Sequence, residues 1–414
     1  MSKKESQKDK QIRARPRASK VSVAVFLATL VVVLISLATV LFPSLVVRST
    51  SQFQDPTINP YETGIWTYPL LATNFILLGV GILYFKNKLP QKITRSIKFV
   101  FDFEVSARTA LIVMIVFLAI YIAFTATEIT KEETWADYKS VKNVVERWTV
   151  SDFSRSYWEP HLRYLFLSVS LHTFGNIRVL PFMASIALVV LTYFITKELS
   201  QKRFAGLVGT AILLQSSVFL SYDTSAAYDN LWTLLYILSL YFIYRKWPLS
   251  PPSFIASIPA KTLTAMFLPM TLFFIYRSNL PRQRKMILLA IYGVIIVAGI
   301  TVAASGINLL GTAQRQTDAN DFWRGFTALA LQMRFDVIVL FFILPLVVGL
   351  FMLSRKGVIH GDSIMVLIMG ILLSAPVLHG FTTQTIQPYR FVPLVVFFAM
   401  GVGTILSKRS SEQA

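Results

Sequence analysis

The chain has 414 residues, 54% hydrophobic and 15% charged, with no cysteine, and its mean hydropathy is +0.59. Its long apolar runs exclude a soluble globular domain. Because they are continuous rather than alternating, they imply lipid-spanning helices and not a barrel, since backbone in lipid must satisfy its own hydrogen bonds.

The absence of cysteine excludes disulfides, thiolate metal ligands and cysteine nucleophiles together. The formal charge of +19 is distributed as membrane anchors: eight Lys or Arg stand in residues 1–20 against Glu5 and Asp9. Further clusters flank apolar runs at Lys86 to Lys98, Lys197 to Arg203, Arg245-Lys246, Arg277 to Lys285, Arg355-Lys356 and Lys408-Arg409. This follows the positive-inside rule, with some attraction to anionic headgroups. Nucleic acid is excluded as a partner, because no soluble basic domain with aromatic platforms is present.

In chain order, residues 1–20 form a basic cytoplasmic tail, and the run Val21 to Val47 is a retained first helix, too long for the apolar core of a signal peptide. Residues 21–108 hold two spans, near 22–47 and 66–85, and a basic loop. A core unit over 109–250 has spans near 109–127, 178–196, 204–220 and 229–244, with a long external segment at 127–177. The last unit, 251–414, has spans near 285–303, 335–353, 363–378 and 391–407.

The stretch Pro251 to Arg277 has basic residues beyond both ends and Pro259 and Lys261 in the middle, so two short helices turning at Ile258 to Lys261 keep the charge rule; one long helix is the alternative. The expected fold is all-α and polytopic, with about 10–12 membrane helices. Interfacial helices lie in the first core external loop: Val141, Val144, Val145 and Trp148 recur at helical spacing, and Leu162 to Phe174 is short for a crossing.

Chemistry concentrates in the external segment EITKEETWADYKSVKNVVERWTVSDFSRSYWEPHLRYLFLSVSLHTFGN, Glu128 to Asn176. Glu128, Glu132, Glu133 and Asp137 are its acids before the interfacial helix; they suit either chemistry or the positive N-terminal end of that helix. Asp229, beside Asn230, suits a helix N-cap as well as a site. Lys261 at membrane depth is costly unless it is functional or snorkels to the interface. Arg390 beside Tyr389 suits a phosphate or a helix end. His172 reads as surface, and His360 falls at the cytoplasmic end. The four histidines are scattered and none lies close in sequence to the paired acids, so no tight metal site is expected; a loosely held divalent cation on carboxylates stays open.

These residues resemble a family. An acidic pair after a helix, then an amphipathic helix, then YWEPHLRYLFLSVSLHTFGN is similar to the GT-C membrane glycosyltransferases, in the branch of protein O-mannosyltransferases and aminoarabinose transferases. The likeness continues in order through LTYFITKELSQKRF (Leu191 to Phe204) and VFLSYDTSAAYDNLWTLLYILSLYFIYRKW (Val218 to Trp247). It goes on through AKTLTAMFLPMTLFF (Ala260 to Phe274) and QPYRFVPLVVFFAMGVG (Gln387 to Gly403), covering roughly residues 109–407. Departures are also present. Glu132-Glu133 stands for the family's Asp-Glu, with Asp137 in a shifted register; Glu159-Pro160-His161 has one proline fewer; and Ala227-Tyr228-Asp229 replaces Arg-Pro-Asp. The oligosaccharyltransferase signature Trp-Trp-Asp-Tyr-Gly is absent.

The resemblance implies transfer of a monosaccharide from a polyprenyl-phosphate donor to a glycan, lipid or protein acceptor at the external face of a plasma membrane. A carboxylate takes the acceptor proton, and cations hold the departing phosphate. The implied catalytic candidates are Glu132, Glu133 and Asp137. Substrate contacts fall to Arg155, Glu159, His161, Arg163, Tyr222, Asp223, Asp229, Lys261, Arg315, Arg324, Arg334 and Arg390. The competing expectations are a transporter or flippase of lipid-linked glycans, for which broken helices and repeats would be the sign, and an inactive accessory protein.

Overall fold

The computed structural model describes residues 19–44, 59, 61–135, 137–148, 161–304, 320–326, 336–382 and 387–407. The described elements are helical, and eight helices are long and apolar enough to cross a membrane. The chain is an all-α polytopic membrane protein. Three shorter apolar helices, Arg203–Leu214, Leu231–Arg245 and Thr262–Tyr276, join them.

The N-terminal spans are α1 (Lys20–Leu41) and α2 (Thr67–Phe85). Ser19 starts α1 by accepting the Ser22 N–H at 3.1 Å. The basic loop contains a helix that hydropathy alone does not reveal: α3 (Gln91–Asp102) is amphipathic and buries no residue. Its apolar positions Ile93, Ile97, Val100 and Phe101 recur at helical spacing, with Lys92, Arg95 and Lys98 between them. The core unit follows with α4 (Ala107–Ile129), α5 (Tyr138–Arg147), α6 (His161–Phe174), α7 (Val179–Ser200), α8 (Arg203–Leu214), α9 (Ser217–Tyr222) and α10 (Leu231–Arg245).

The expected span at 204–220 is interrupted at Gln215-Ser216. Ser216 accepts the Phe219 N–H at 3.1 Å and donates to the buried Asp336 carboxylate, so one hydroxyl ends α8 and begins α9. The break at 251–277 falls where charge and proline place it. There α11 (Ser250–Ala260) ends just past Pro259, Lys261 is extended, and a 3₁₀ turn at Thr262–Phe267 leads into α12 (Leu268–Tyr276).

The C-terminal spans are α13 (Arg282–Ala304), α14 (Val337–Ser354), α15 (His360–Phe381) and α16 (Val392–Ile405), with residues 320–326 also helical. The centre is α16, against which α7, α8, α14 and α15 pack. Gly403 lies against Thr196 of α7 and Ala205 of α8, the small-residue approach by which helices associate in lipid. The N-terminal α1 packs on α14 and α15, and α2 on α14, whereas α13 lies at the edge against α12 and α11.

Two ends follow. At the basic end, Arg245 pairs with Glu198 at 2.5 Å, Lys202 donates to the Phe101 carbonyl, and the Lys356 Nζ sits 4.5 Å from the Phe85 ring centroid. There too Arg277 pairs with the fully buried Asp362, which accepts the Ser22 hydroxyl at 2.7 Å and so ties α12, α15 and α1 together. The other end gathers residues 128–137, 176–178, 222–230, 261 and 389–390, the end that the charge pattern makes external.

Candidate functional site

The external end is organised around Arg178, which follows Gly175-Asn176-Ile177 at the start of α7. It is 5% exposed. Its guanidinium donates to the carbonyls of Glu128, Lys131 (2.5 Å) and Thr224 (3.0 Å), to the Thr224 hydroxyl (2.6 Å), and pairs with Glu133 at 3.5 Å. One planar fork thereby clamps the end of α4 to the turn after α9.

Glu133 completes the clamp. Its carboxylate accepts the Ser225 hydroxyl at 2.8 Å and the Ala226 N–H at 2.6 Å. With its side chain 2% exposed and these donors around it, Glu133 is a structural acceptor. Glu132 is the opposite: its side chain is 72% exposed, and it approaches Lys142 at 4.0 Å. Glu128, Glu132, Glu133, Lys131, Arg178 and Ser225 line an open polar recess of about 340 Å³.

The third acid, Asp137, lies at the start of α5 and is exposed. It accepts the Tyr228 hydroxyl at 2.6 Å. Burial, and then the Asp137 carboxylate, push that phenol up, so Tyr228 keeps its proton and donates. The Tyr228 ring stacks on Tyr389 (centroids 4.5 Å, planes 17° apart), and Trp135, which also lines the recess, stacks on Tyr222 at 5.0 Å. Around Tyr389 stand two cations: the Lys261 Nζ is 5.6 Å from its ring centroid, and the buried Arg390 donates from Nε to its hydroxyl at 3.2 Å. The 3₁₀ turns at 262–267 and 388–391 place both cations at helix ends.

Arg163 and Asp229 buttress this wall. They pair at 2.9 Å, and Arg163 also donates to the Ala226 carbonyl at 2.9 Å and to that of Ala227. Asp229 accepts the Leu231 N–H at 3.1 Å, so it holds the start of α10 as well as the ion pair. Burial pushes its carboxyl up, against the pull of Arg163, then of the Leu231 N–H and of Lys261.

Asp223 is different. It is 1% exposed, and neither carboxylate oxygen has a well-formed hydrogen bond. Burial pushes its carboxyl up to about 7; the Tyr121 hydroxyl softens this and the Glu128 carboxylate adds to it. A carboxyl with a raised folded value stabilises the fold in its protonated form, so stability falls as pH rises from 3.8 to about 7. Asp223→Asn is expected to flatten that fall and to raise the thermal midpoint above this window, as read by unfolding of the detergent-solubilised variant against the parent across pH.

His161 is buried at the head of α6, and Tyr222 is buried in the aromatic stack. Arg324 lies at the same end but pairs with Asp321 at 2.8 Å. Arg155, Glu159, Arg315 and Arg334 lie outside the described residues. The structure therefore brings together Asp137, Arg163, Tyr222, Asp229, Lys261 and Arg390 in one wall, with Glu133 and Asp223 beneath it and Glu132 at its rim.

The interfacial segment differs in one respect from expectation. Val141 and Val145 of α5 are buried against Leu167, Ile177 and Ala226, so that face packs on protein, while Val144 faces outward. His172 is exposed, and His360 lies near Tyr244 at the basic end. Among the described residues no group of three or more His, Asp or Glu is arranged to hold a metal ion.

The chain matches no protein family, no curated protein and no solved structure.

The site residues that sequence reasoning did not offer as candidates are Arg178, Tyr121, Thr224, Ser225, Tyr228 and Tyr389. Arg178 carried a signal: it is a cation at the head of an apolar run on the external side, against the charge rule, and such a cation needs a buried partner. The others are neutral and identify themselves only through contacts.

Proposed function

We propose that the protein is a polytopic membrane glycosyltransferase that transfers a monosaccharide from a polyprenyl-phosphate donor to an acceptor hydroxyl at the external face of a plasma membrane. The observation that carries this reading is the wall in which an exposed carboxylate, Asp137, is hydrogen-bonded to Tyr228, which stacks on Tyr389 between Lys261 and Arg390.

In this reading the acceptor oxygen bonds to the sugar's anomeric carbon as its bond to the phosphate oxygen breaks. Asp137 takes the acceptor proton, and the phosphate leaves with the bonding electrons, held by Lys261 and Arg390. Tyr228 orients Asp137 by donating to one of its oxygens, leaving the other for the acceptor. Trp135 and the tyrosines offer faces on which a sugar ring stacks. The order of motifs resembling GT-C enzymes over residues 109–407 supports the same reading, as does an apolar groove of about 800 Å³ lined by Met266, Pro269, Val366 and Leu373, of a kind that suits a polyprenyl chain.

The test is sugar transfer by purified protein in lipid vesicles from a panel of polyprenyl-phosphate monosaccharides, with release of polyprenyl phosphate as the readout. Consumption of one donor by the parent chain, reduced at least tenfold in Lys261→Ala and Arg390→Ala, is the expected result. If no donor is consumed while the lipid-linked sugar crosses the vesicle membrane, the flippase reading replaces this one; if neither occurs, the accessory reading does.

A further inference from the structure

A cavity opens between α2 and α14 at the end opposite the proposed active site, below contacts that hold the two helices together. Pro345, inside α14, has no N–H to give to the Phe341 carbonyl, and the Asn74 side chain of α2 donates to that carbonyl instead, at 3.4 Å. Trp66 packs edge-on against the Phe341 ring in the same region. Below this anchor the two helices part. The gap is a cavity of about 520 Å³ walled by Leu77 and Gly81 of α2, Leu353 of α14 and Ile405 of α16, and roofed by Ile97 and Phe101 of α3. That volume lies in the range of sites that hold small molecules, about 300–1,000 Å³.

Two features identify the occupant. The cavity wall is mostly apolar, with Tyr84 and Ser407 in its lining and Lys356 standing over the Phe85 ring. The roof and its approach, residues 86–102, carry Lys86, Lys88, Lys92, Arg95 and Lys98 against one acid, Asp102. An apolar crevice beneath a cation-rich segment, at the basic end of a membrane protein, is complementary to a lipid with a hydrocarbon chain and a negative headgroup. The same feature accounts for α3, which buries no residue of its own although Ile97 and Phe101 face the crevice.

We propose that this crevice binds an anionic phospholipid of the cytoplasmic leaflet, one acyl chain lying between α2 and α14 under α3 and the headgroup phosphate meeting Lys356. The lipid joins α2 to the core where the two helices part. This site is independent of the transfer reaction.

Gly81 supplies the probe variant, because a Cβ built there meets nothing within 4 Å; Gly81→Phe fills the crevice without disturbing the backbone. The full chain is reconstituted in phosphatidylcholine vesicles containing a trace of phosphatidylglycerol or of phosphatidylcholine, each with a photoreactive acyl chain, and labelled peptides are mapped by mass spectrometry. The phosphatidylglycerol probe is expected to label α2 and α14 several-fold more than the phosphatidylcholine probe. Lys356→Gln brings the two level, and Gly81→Phe lowers labelling there several-fold while leaving α13 at the bundle edge unchanged.

Equal labelling by both probes in the parent chain would overturn the proposal in favour of unselective lipid contact. Crevice peptides that neither probe labels, or that cross-link to the chain's own residues 408–414, would overturn it in favour of a protein occupant. If Gly81→Phe does not fold, the response of Lys356→Gln decides alone.

Discussion

Replacing Arg178 by Met is expected to lower stability by about 3–5 kcal/mol, the cost of leaving one partner of a buried ion pair behind. Three carbonyls, one hydroxyl and the Glu133 carboxylate lose their donor at once, and all converge on a side chain that is 5% exposed. Arg178→Lys is expected to recover only a small part, because an ammonium restores charge but cannot span the end of α4 and the turn after α9 with one planar fork. The measurement is the unfolding midpoint in mild detergent, with protease cleavage between residues 128 and 137 as a local readout.

The Arg178→Met, Glu133→Gln double variant should lose less than the sum of the two singles, since the second substitution removes the stranded charge. Additive losses would show that Glu133 is held by the Ala226 amide and Ser225 hydroxyl and takes nothing from Arg178.

How much of this was legible in the sequence depends on how far the physics reaches along the chain. The break at Lys261 could be read from residues next to each other, because proline and a cation inside an apolar stretch are local signals and charge at both flanks disfavours a single crossing. The break at Gln215-Ser216 could not. Its polar step, Gln215-Ser216-Ser217, is too short to end a span by hydropathy, and the group that fixes it, Asp336, is 120 positions away.

The helix α3 was hidden for another reason: its cations dominate the composition, and only the spacing of Ile93, Ile97 and Val100 shows the apolar face. In the site, charge conflict with the membrane singled out Lys261 alone; Arg163 entered through the resemblance, and Arg390 as a phosphate contact or a helix end. The acids were harder. Glu132 and Glu133 are neighbours in an acidic loop with nothing local to separate them, yet one faces water and the other accepts the Ala226 N–H, 93 positions on.

That difference sets the expected result for the three carboxylates. Asp137→Asn should reduce the transfer rate by about 10²–10⁴-fold, the usual contribution of a positioned general base, with the unfolding midpoint unchanged, because Asp137 is exposed and its one partner, the Tyr228 hydroxyl, can donate to an amide oxygen as well. Glu132→Gln should leave rate and midpoint near those of the parent, since only a 4.0 Å approach to Lys142 is lost at the surface.

Glu133→Gln should behave in a third way. Its midpoint should fall, because a neutral amide no longer balances Arg178 and an NH₂ group is turned toward donors that need an acceptor. Its rate, measured at a temperature where it remains folded, should fall less than that of Asp137→Asn. Rate and stability together separate the base from the scaffold: a full loss of transfer in folded Glu133→Gln, with Asp137→Asn still active, would move the base from the Tyr228 wall to the recess beside Arg178. Tyr228→Phe gives the independent check. It removes the hydroxyl that orients Asp137 while keeping the ring that stacks on Tyr389 at 4.5 Å, so it should lower the rate without weakening donor binding and shift the pH at which the rate rises.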